Sequence, residues 1–126
     1  MKFLWEGQKI LHHPALLATA TCVRVPVFRS HAVSLNLEFE KRVTRQTALD
    51  VLHKAAGLQV HDDPASEIYP TPLETSEQDD VFVGRVREDI SVPDGRGLAL
   101  WVVGDQLAKG AALNAVQIGE LLLRGN

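Results

Sequence analysis

Between residues 33 and 40, apolar and polar side chains alternate without interruption, and no other segment limits the possible folds so strongly. The apolar positions are Val33, Leu35, Leu37 and Phe39. Because successive side chains of a strand point to opposite faces, a period of two predicts a β-strand with one face in water. We therefore expect a sheet whose other face is covered by a second layer.

A helix is predicted directly after this strand. Thr44 is a suitable N-cap for a helix from Arg45 to Ala56, and Gly57 stands where a C-cap glycine belongs. One side of this helix would be apolar, formed by Ala48, Leu49, Leu52, Ala55 and Ala56. Such a stripe is typical of a helix that packs against a sheet.

The remaining segments supply more strands and two flanking helices. Residues 17–28 are rich in β-branched side chains and predict a strand, in which Pro26 places a bulge, a bend or an edge. Residues 81–87 and 98–103 are strand-like and flank a turn-rich connection, which predicts a hairpin. A short helix is also predicted within 2–11 and a helix at 111–123, and a short strand is predicted at 58–61. Residues 62–80 are rich in proline and acidic residues and are predicted to form an exposed loop outside the core. Together these elements indicate one α+β domain over residues 1–126.

The composition excludes several classes of partner. The net charge is −3, the isoelectric point is about 5.9, and the cationic residues are scattered, so neither nucleic acid nor a membrane surface is expected to bind. The longest apolar runs fall well short of the roughly 20 residues that cross a bilayer. A single cysteine and the lack of a secretory apolar segment at the start indicate a cytoplasmic protein.

Arg24 is the most unusual residue in the chain, because it interrupts an apolar segment that is predicted to be a strand. A buried guanidinium needs an anion, which can be the carboxylate of a ligand or a structural Asp or Glu. His31 lies seven residues further on, and a straight strand would hold the two side chains about 23 Å apart on opposite faces. They can reach one small ligand only if the chain bends, and Pro26 gives a reason for a bend.

Other candidate groups have weaker patterns. The five histidines lack the spacing and cysteine partners of a metal site, so no metal is expected. Cys22 lies among apolar neighbours, with no helix N-terminus to activate it, and is predicted to be an inert buried thiol. Gly95-Arg96-Gly97 lacks the third glycine of a dinucleotide loop.

Four ordered segments resemble aspartate-semialdehyde dehydrogenases, and they span nearly the whole chain. They are Thr21–His31 with Asn36 and Glu38-Phe39-Glu40, Tyr69–Leu73, Val83–Asp89 and Trp101–Ile118. The resemblance is to the last third of that family, and it implies a mixed sheet with helices packed on one face, as in the C-terminal domain of the glyceraldehyde-3-phosphate dehydrogenase-like superfamily. Residues from about 105 to 126 would form a terminal helix that returns to a cofactor domain.

The resemblance also implies a reaction and a set of roles. Aspartate semialdehyde, phosphate and NADP would give aspartyl phosphate and NADPH, on the route to lysine, methionine and threonine. Arg24 matches the arginine that binds the substrate carboxylate, and His31 matches the general acid/base. Lys2 matches a lysine of the phosphate and substrate site, and Asn114 would touch the nicotinamide end of the cofactor. A homodimer is the expected assembly.

The family's nucleophilic cysteine motif and dinucleotide loop do not occur in these 126 residues, so the isolated chain is expected to be inactive. Two alternatives remain open. The chain could be a dimerisation or carboxylate-binding domain without chemistry, or it could belong to a related acyl-phosphate reductase.

Overall fold

A computed structural model describes residues 2–125, so that Met1 and Asn126, the last residue of the predicted terminal segment, lie outside the described part. The helices are α1 Lys2–Ile10, α2 Arg45–Leu52, α3 Pro72–Thr75 and α4 Leu113–Arg124. The strands are β1 His31–Glu38, β2 Leu58–Val60, β3 Val81–Glu88 and β4 Gly97–Gly104. A short 3-10 turn, Pro93–Gly95, precedes β4, and a π-helical turn, Ala108–Ala112, leads into α4.

The four strands form one mixed sheet in the order β1-β4-β3-β2. β4 is antiparallel to both β1 and β3, whereas β2 runs parallel to β3. β1 pairs with β4 along its whole length, from His31 opposite Gly104 to Glu38 opposite Gly97. The alternating strand and the β3–β4 hairpin are therefore confirmed. The tight connection of the hairpin contains two residues with positive φ, Asp94 and Gly95.

The core lies between one face of the sheet and α2. Ala48 and Leu49 of α2 are buried, and the cluster is completed by Val83, Val86, Leu98 and Leu100. Leu35 and Leu37 of β1 pack against this cluster, as the alternation predicted. α2 begins at the predicted N-cap, where the Thr44 side chain accepts a hydrogen bond from the backbone N–H of Thr47. It ends at Leu52, earlier than predicted, because the following residues form tighter turns in which Lys54 N donates to Val51 O.

The predicted strand at 17–28 is wrong. Within the part of the chain that the structure describes, none of these residues pairs with a strand, and all of them are exposed. At Pro26 the backbone turns sharply, and Val27 N donates to Val25 O at 2.8 Å. The β-branched residues favour an extended backbone, but a strand also needs a neighbour to complete its hydrogen bonds, and the sheet offers this segment none.

The chain exposes far more surface than a closed domain of its size. A folded monomer of 13.8 kDa exposes about 6,600 Å², whereas this chain exposes 9751 Å². Most of the large exposed apolar side chains belong to α1, the segment 15–29 and α4. They include Phe3, Trp5, Ile10, Leu17, Val23, Phe28, Val116, Leu121 and Leu122. No helix in residues 2–125 is long and apolar enough to cross a membrane.

Candidate functional site

The structure places the four predicted site residues on separate elements at the surface. Lys2 is the first described residue of α1, where its ammonium lies 3.6 Å from Glu6 in an exposed ion pair. Arg24 lies in the unpaired segment, His31 is the first residue of β1, and Asn114 is the second residue of α4. All four are exposed.

The expected burial of Arg24 and Cys22 is wrong, because both residues lie in the exposed segment that forms no strand. Among residues 2–125, Arg24 makes no ion pair, which removes the alternative of a structural carboxylate partner in the described part of the chain. The bend expected at Pro26 does occur, as the hydrogen bond between Val27 and Val25 shows.

The backbone leading into His31 is held firmly. Ser30 is buried, has a φ of 73°, and its hydroxyl lies 3.1 Å from the hydroxyl of Ser76. Positive φ is uncommon outside glycine, and a serine keeps it only where the surroundings enforce it. One residue earlier, the Arg29 guanidinium forms an ion pair with Asp105, with Nε 2.6 Å from Oδ2.

Asp105 is the buried centre of this arrangement. It follows β4 directly, is 1% exposed, and receives hydrogen bonds from the backbone N–H groups of Glu77, Leu107 and Ala108 at 2.7, 2.8 and 3.0 Å. Burial alone would raise the pKa of Asp105, but the backbone donors of Ala108, Glu77 and Leu107 and the Arg29 guanidinium outweigh it and lower the pKa to about 2. The carboxylate is therefore ionised at neutral pH, and it joins three segments, 29–31, 76–77 and 105–108.

Sequence reasoning did not single out Asp105, although a signal was present. An Asp at the end of an apolar strand and two to three residues before a helical turn is a typical capping residue, since its oxygens can accept the free N–H groups of that turn. Leu107 and Ala108 donate in this way. The pattern does not indicate the ionic partner of Asp105, because Arg29 lies far away in the sequence.

A second feature is a cavity of about 340 Å³ on the side of the sheet that faces away from α2. Its polar lining includes Ser34, Tyr69, Thr71, Arg85 and Arg87, beside the ring of Trp101. The guanidinium of Arg85 lies over the Tyr69 ring at 5.8 Å, and the Trp101 indole N–H donates to the Pro70 carbonyl at 3.1 Å. Neither Arg24 nor His31 lines this cavity, so it is distinct from the predicted substrate residues.

Comparison with known proteins decides the family. The family model described as "Semialdehyde dehydrogenase, dimerisation domain" matches residues 1–109. The chain belongs to the semialdehyde dehydrogenase family. The aspartate-semialdehyde dehydrogenase of Mycolicibacterium smegmatis is 51% identical over 117 residues, which are 93% of this chain and 32% of that protein. The Aquifex aeolicus enzyme of the same name is 46% identical, over 98% of this chain and 36% of its own length.

A solved structure agrees with this placement. Aspartate semialdehyde dehydrogenase II from Vibrio cholerae, crystallised in complex with ASA, superposes with a TM-score of 0.90 at 42% identity, over 98% of this chain and 36% of that one. The predicted family and the predicted mixed sheet with helices are thus confirmed. The chain spans about a third of the length of the relatives it matches.

Proposed function

We propose that this chain forms the substrate-handling third of an NADP-dependent aspartate-semialdehyde dehydrogenase. The reaction converts aspartate semialdehyde, phosphate and NADP into aspartyl phosphate and NADPH, and it lies on the route to lysine, methionine and threonine. The observation that carries the proposal is the match along nearly the whole chain to relatives with this name, at 46–51% identity. The exposed thiol of Cys22 suits a reducing compartment, so we place the enzyme in the cytoplasm.

Arg24 and His31 receive the central roles. The exposed Arg24 guanidinium makes no ion pair with residues 2–125, so it is available to bind the substrate carboxylate with two parallel hydrogen bonds. His31 is exposed at the start of β1, and an imidazole ring can both accept and donate a proton, which suits proton exchange with a thiol nucleophile and with a developing oxyanion. The remaining two thirds of the enzyme would supply that thiol.

Lys2 and Asn114 receive peripheral roles. Lys2 would contribute an ammonium to the phosphate and substrate site, since its pair with Glu6 is exposed and weak enough to exchange. The Asn114 amide is exposed on the first turn of α4 and has both a donor and an acceptor, which are complementary to the carboxamide of a nicotinamide ring. When bound, NADP would accept the hydride from the substrate carbon. We place residues 105–126 as the segment that returns to the cofactor domain.

The large exposed apolar surface supports a role as part of a larger assembly. Exposed apolar patches of this extent mark interaction sites. The excess surface of about 3,100 Å² over a closed monomer is what a neighbouring domain and a second subunit would cover together. We propose that the cofactor domain packs on α1, the segment 15–29 and α4, and that the enzyme is a homodimer, as the description of the family model indicates.

A chimaera tests the proposed function. In it, this chain replaces the matching third of the Mycolicibacterium smegmatis relative, which is 51% identical to it. We expect phosphate-dependent reduction of NADP with aspartate semialdehyde, measured by absorbance at the nicotinamide band, and a dimer by sedimentation equilibrium. The isolated 126-residue chain is the control, and we expect no turnover from it. A folded chimaera without activity, or turnover by the isolated chain, would overturn this reading and favour a dimerisation domain without chemistry or a different reductase.

Arg24→Leu in the chimaera tests the carboxylate role. Losing hydrogen bonds to a charged group costs about 3 kcal/mol, so kcat/KM for aspartate semialdehyde should fall about 10²-fold, mainly through KM. The matched control is Arg42→Leu, which removes an exposed guanidinium in the connection between β1 and α2. An unchanged kcat/KM in Arg24→Leu would argue against this role.

A further inference from the structure

We propose that Asp105 is a positioning residue, which fixes the acid/base His31 and the start of the cofactor-side helix α4 at the same time. The inference rests on the proposed function, because it assigns Asp105 a role toward His31 and Asn114. It does not require Asp105 to touch substrate or cofactor. The two carboxylate oxygens of Asp105 serve these two tasks separately.

One carboxylate oxygen, Oδ2, holds the branch that leads to His31. It lies 2.6 Å from Arg29 Nε in an ion pair and accepts a hydrogen bond from the Glu77 backbone N–H at 2.7 Å. Arg29 lies two residues before His31, so this ion pair fixes the incoming chain. His31 itself pairs with Gly104, the residue directly before Asp105. The chain around His31 is therefore held by two adjacent residues, Gly104 at the end of β4 and Asp105 directly after it.

Ser30, between Arg29 and His31, explains why this anchor is needed. It is buried with a φ of 73°, which a serine adopts only under constraint. Its hydroxyl lies 3.1 Å from that of Ser76, which in turn donates to the Pro72 carbonyl at 2.7 Å. Glu77, the next residue, is held by Asp105. Asp105 therefore closes a ring of contacts around the strained residue.

The other oxygen, Oδ1, holds the turn that leads to α4. It accepts hydrogen bonds from Leu107 N at 2.8 Å and from Ala108 N at 3.0 Å. The Asp105 carbonyl also accepts from Gly110 N at 3.0 Å. The π-helical turn then runs directly into α4, on whose first turn Asn114 lies. Asp105 thus sets the direction in which α4 leaves the sheet.

An ionised carboxylate suits this set of neighbours. Its two oxygens accept hydrogen bonds from three backbone N–H groups, and Oδ2 also forms an ion pair with the Arg29 guanidinium. An asparagine would keep one acceptor oxygen and present an NH₂ group to donors on the other side, which leaves at least one of them without a partner. Asp105→Asn should therefore break the contacts made by one of the two oxygens, while the volume of the side chain hardly changes.

Three variants of the chimaera test the role: Asp105→Asn, Arg29→Gln and, as a matched control, Asp79→Asn, an exposed carboxylate in the same part of the chain. Because misplacing a catalytic group by about 1 Å can cost on the order of 10²-fold, we expect Asp105→Asn to lower kcat by this amount with a smaller change in KM. Arg29→Gln removes the ion pair at Oδ2 together with the hydrogen bond from Arg29 to the Glu77 side chain, and it leaves the contacts of Oδ1 intact. We expect it to lower kcat with a smaller change in KM, whereas Asp79→Asn should leave both unchanged.

A second measurement on the 126-residue chain alone keeps this inference separate from the proposed function. With ¹³C-labelled histidine, the ring resonance of His31 should move in Asp105→Asn and Arg29→Gln but not in Asp79→Asn. If Asp105→Asn fails to fold, Arg29→Gln decides. The inference is overturned if the folded variants show the same His31 resonance as the control, whether or not the chimaera is active. A shifted His31 in an inactive chimaera would support the positioning role and contradict only the proposed function.

Discussion

The His31→Asn variant of the chimaera is expected to lose kcat by about 10²–10⁴-fold, the contribution of a positioned general acid/base. KM should change little, because an acid/base group acts on the reacting atoms and not on binding of the carboxylate. Asparagine is close to the shape of an imidazole but cannot take up a proton near neutral pH. The exposed position of His31 at the start of β1 makes a large loss of folding stability unexpected.

The measurement is initial-rate kinetics at saturating phosphate and NADP, with thermal unfolding of each variant followed in parallel. His13→Asn is the matched control, since His13 is an exposed histidine in the turn after α1 and has no proposed role. Its kinetics should equal those of the parent chimaera. If His31→Asn retained kcat within a factor of about 3 of the parent, a general acid/base role worth at least 10²-fold would be contradicted.

The contrast between β1 and the segment 17–28 shows which parts of the fold the sequence could predict. In both, the residues favour extended backbone. In β1 the alternation of Leu35 and Leu37 with polar residues also identified the face that packs on the core, and β4 lies beside it. For 17–28, local preference indicated an extended backbone but could not indicate a partner strand, and no described strand supplies one. Pairing depends on residues distant in the sequence, which local patterns do not encode.

The candidate site divides in the same way. The unusual Arg24, the bend at Pro26 and the position of His31 could be seen in the sequence, whereas burial of Arg24 was inferred from a strand that does not form. The ion pair between Arg29 and Asp105 could not be seen, because it joins residues brought together only by the β1–β4 pairing. The resemblance identified the family but gave no role to Asp105. That role follows from the contacts of one buried carboxylate.

Gly84 is the site at which a small substitution should destabilise the fold most. A Cβ atom at Gly84 would collide with the carbonyl oxygen of His61 and lie 2.5 Å from Cδ of Pro70. The His61 backbone cannot easily retreat, because its N–H donates to the Val83 carbonyl at 2.8 Å. The Pro70 carbonyl is likewise engaged by the Trp101 indole. Two residues therefore lie close against β3 at Gly84: His61, which follows β2, and Pro70, which lies shortly before α3.

We therefore expect Gly84→Ala to lower the free energy of unfolding by about 3 kcal/mol or more, the upper end of what overpacking costs, because backbone must move. Urea unfolding of the 126-residue chain, followed by tryptophan fluorescence, measures this change. Gly119→Ala is the matched control: nothing lies within 4 Å of a Cβ built there, inside α4. There, alanine should raise the stability of the helix by about 0.5–1 kcal/mol. Glycine-to-alanine substitution is thus expected to lower the free energy of unfolding at Gly84 and to raise it at Gly119. A loss below about 1 kcal/mol at Gly84 would contradict the close approach of the His61 backbone to β3.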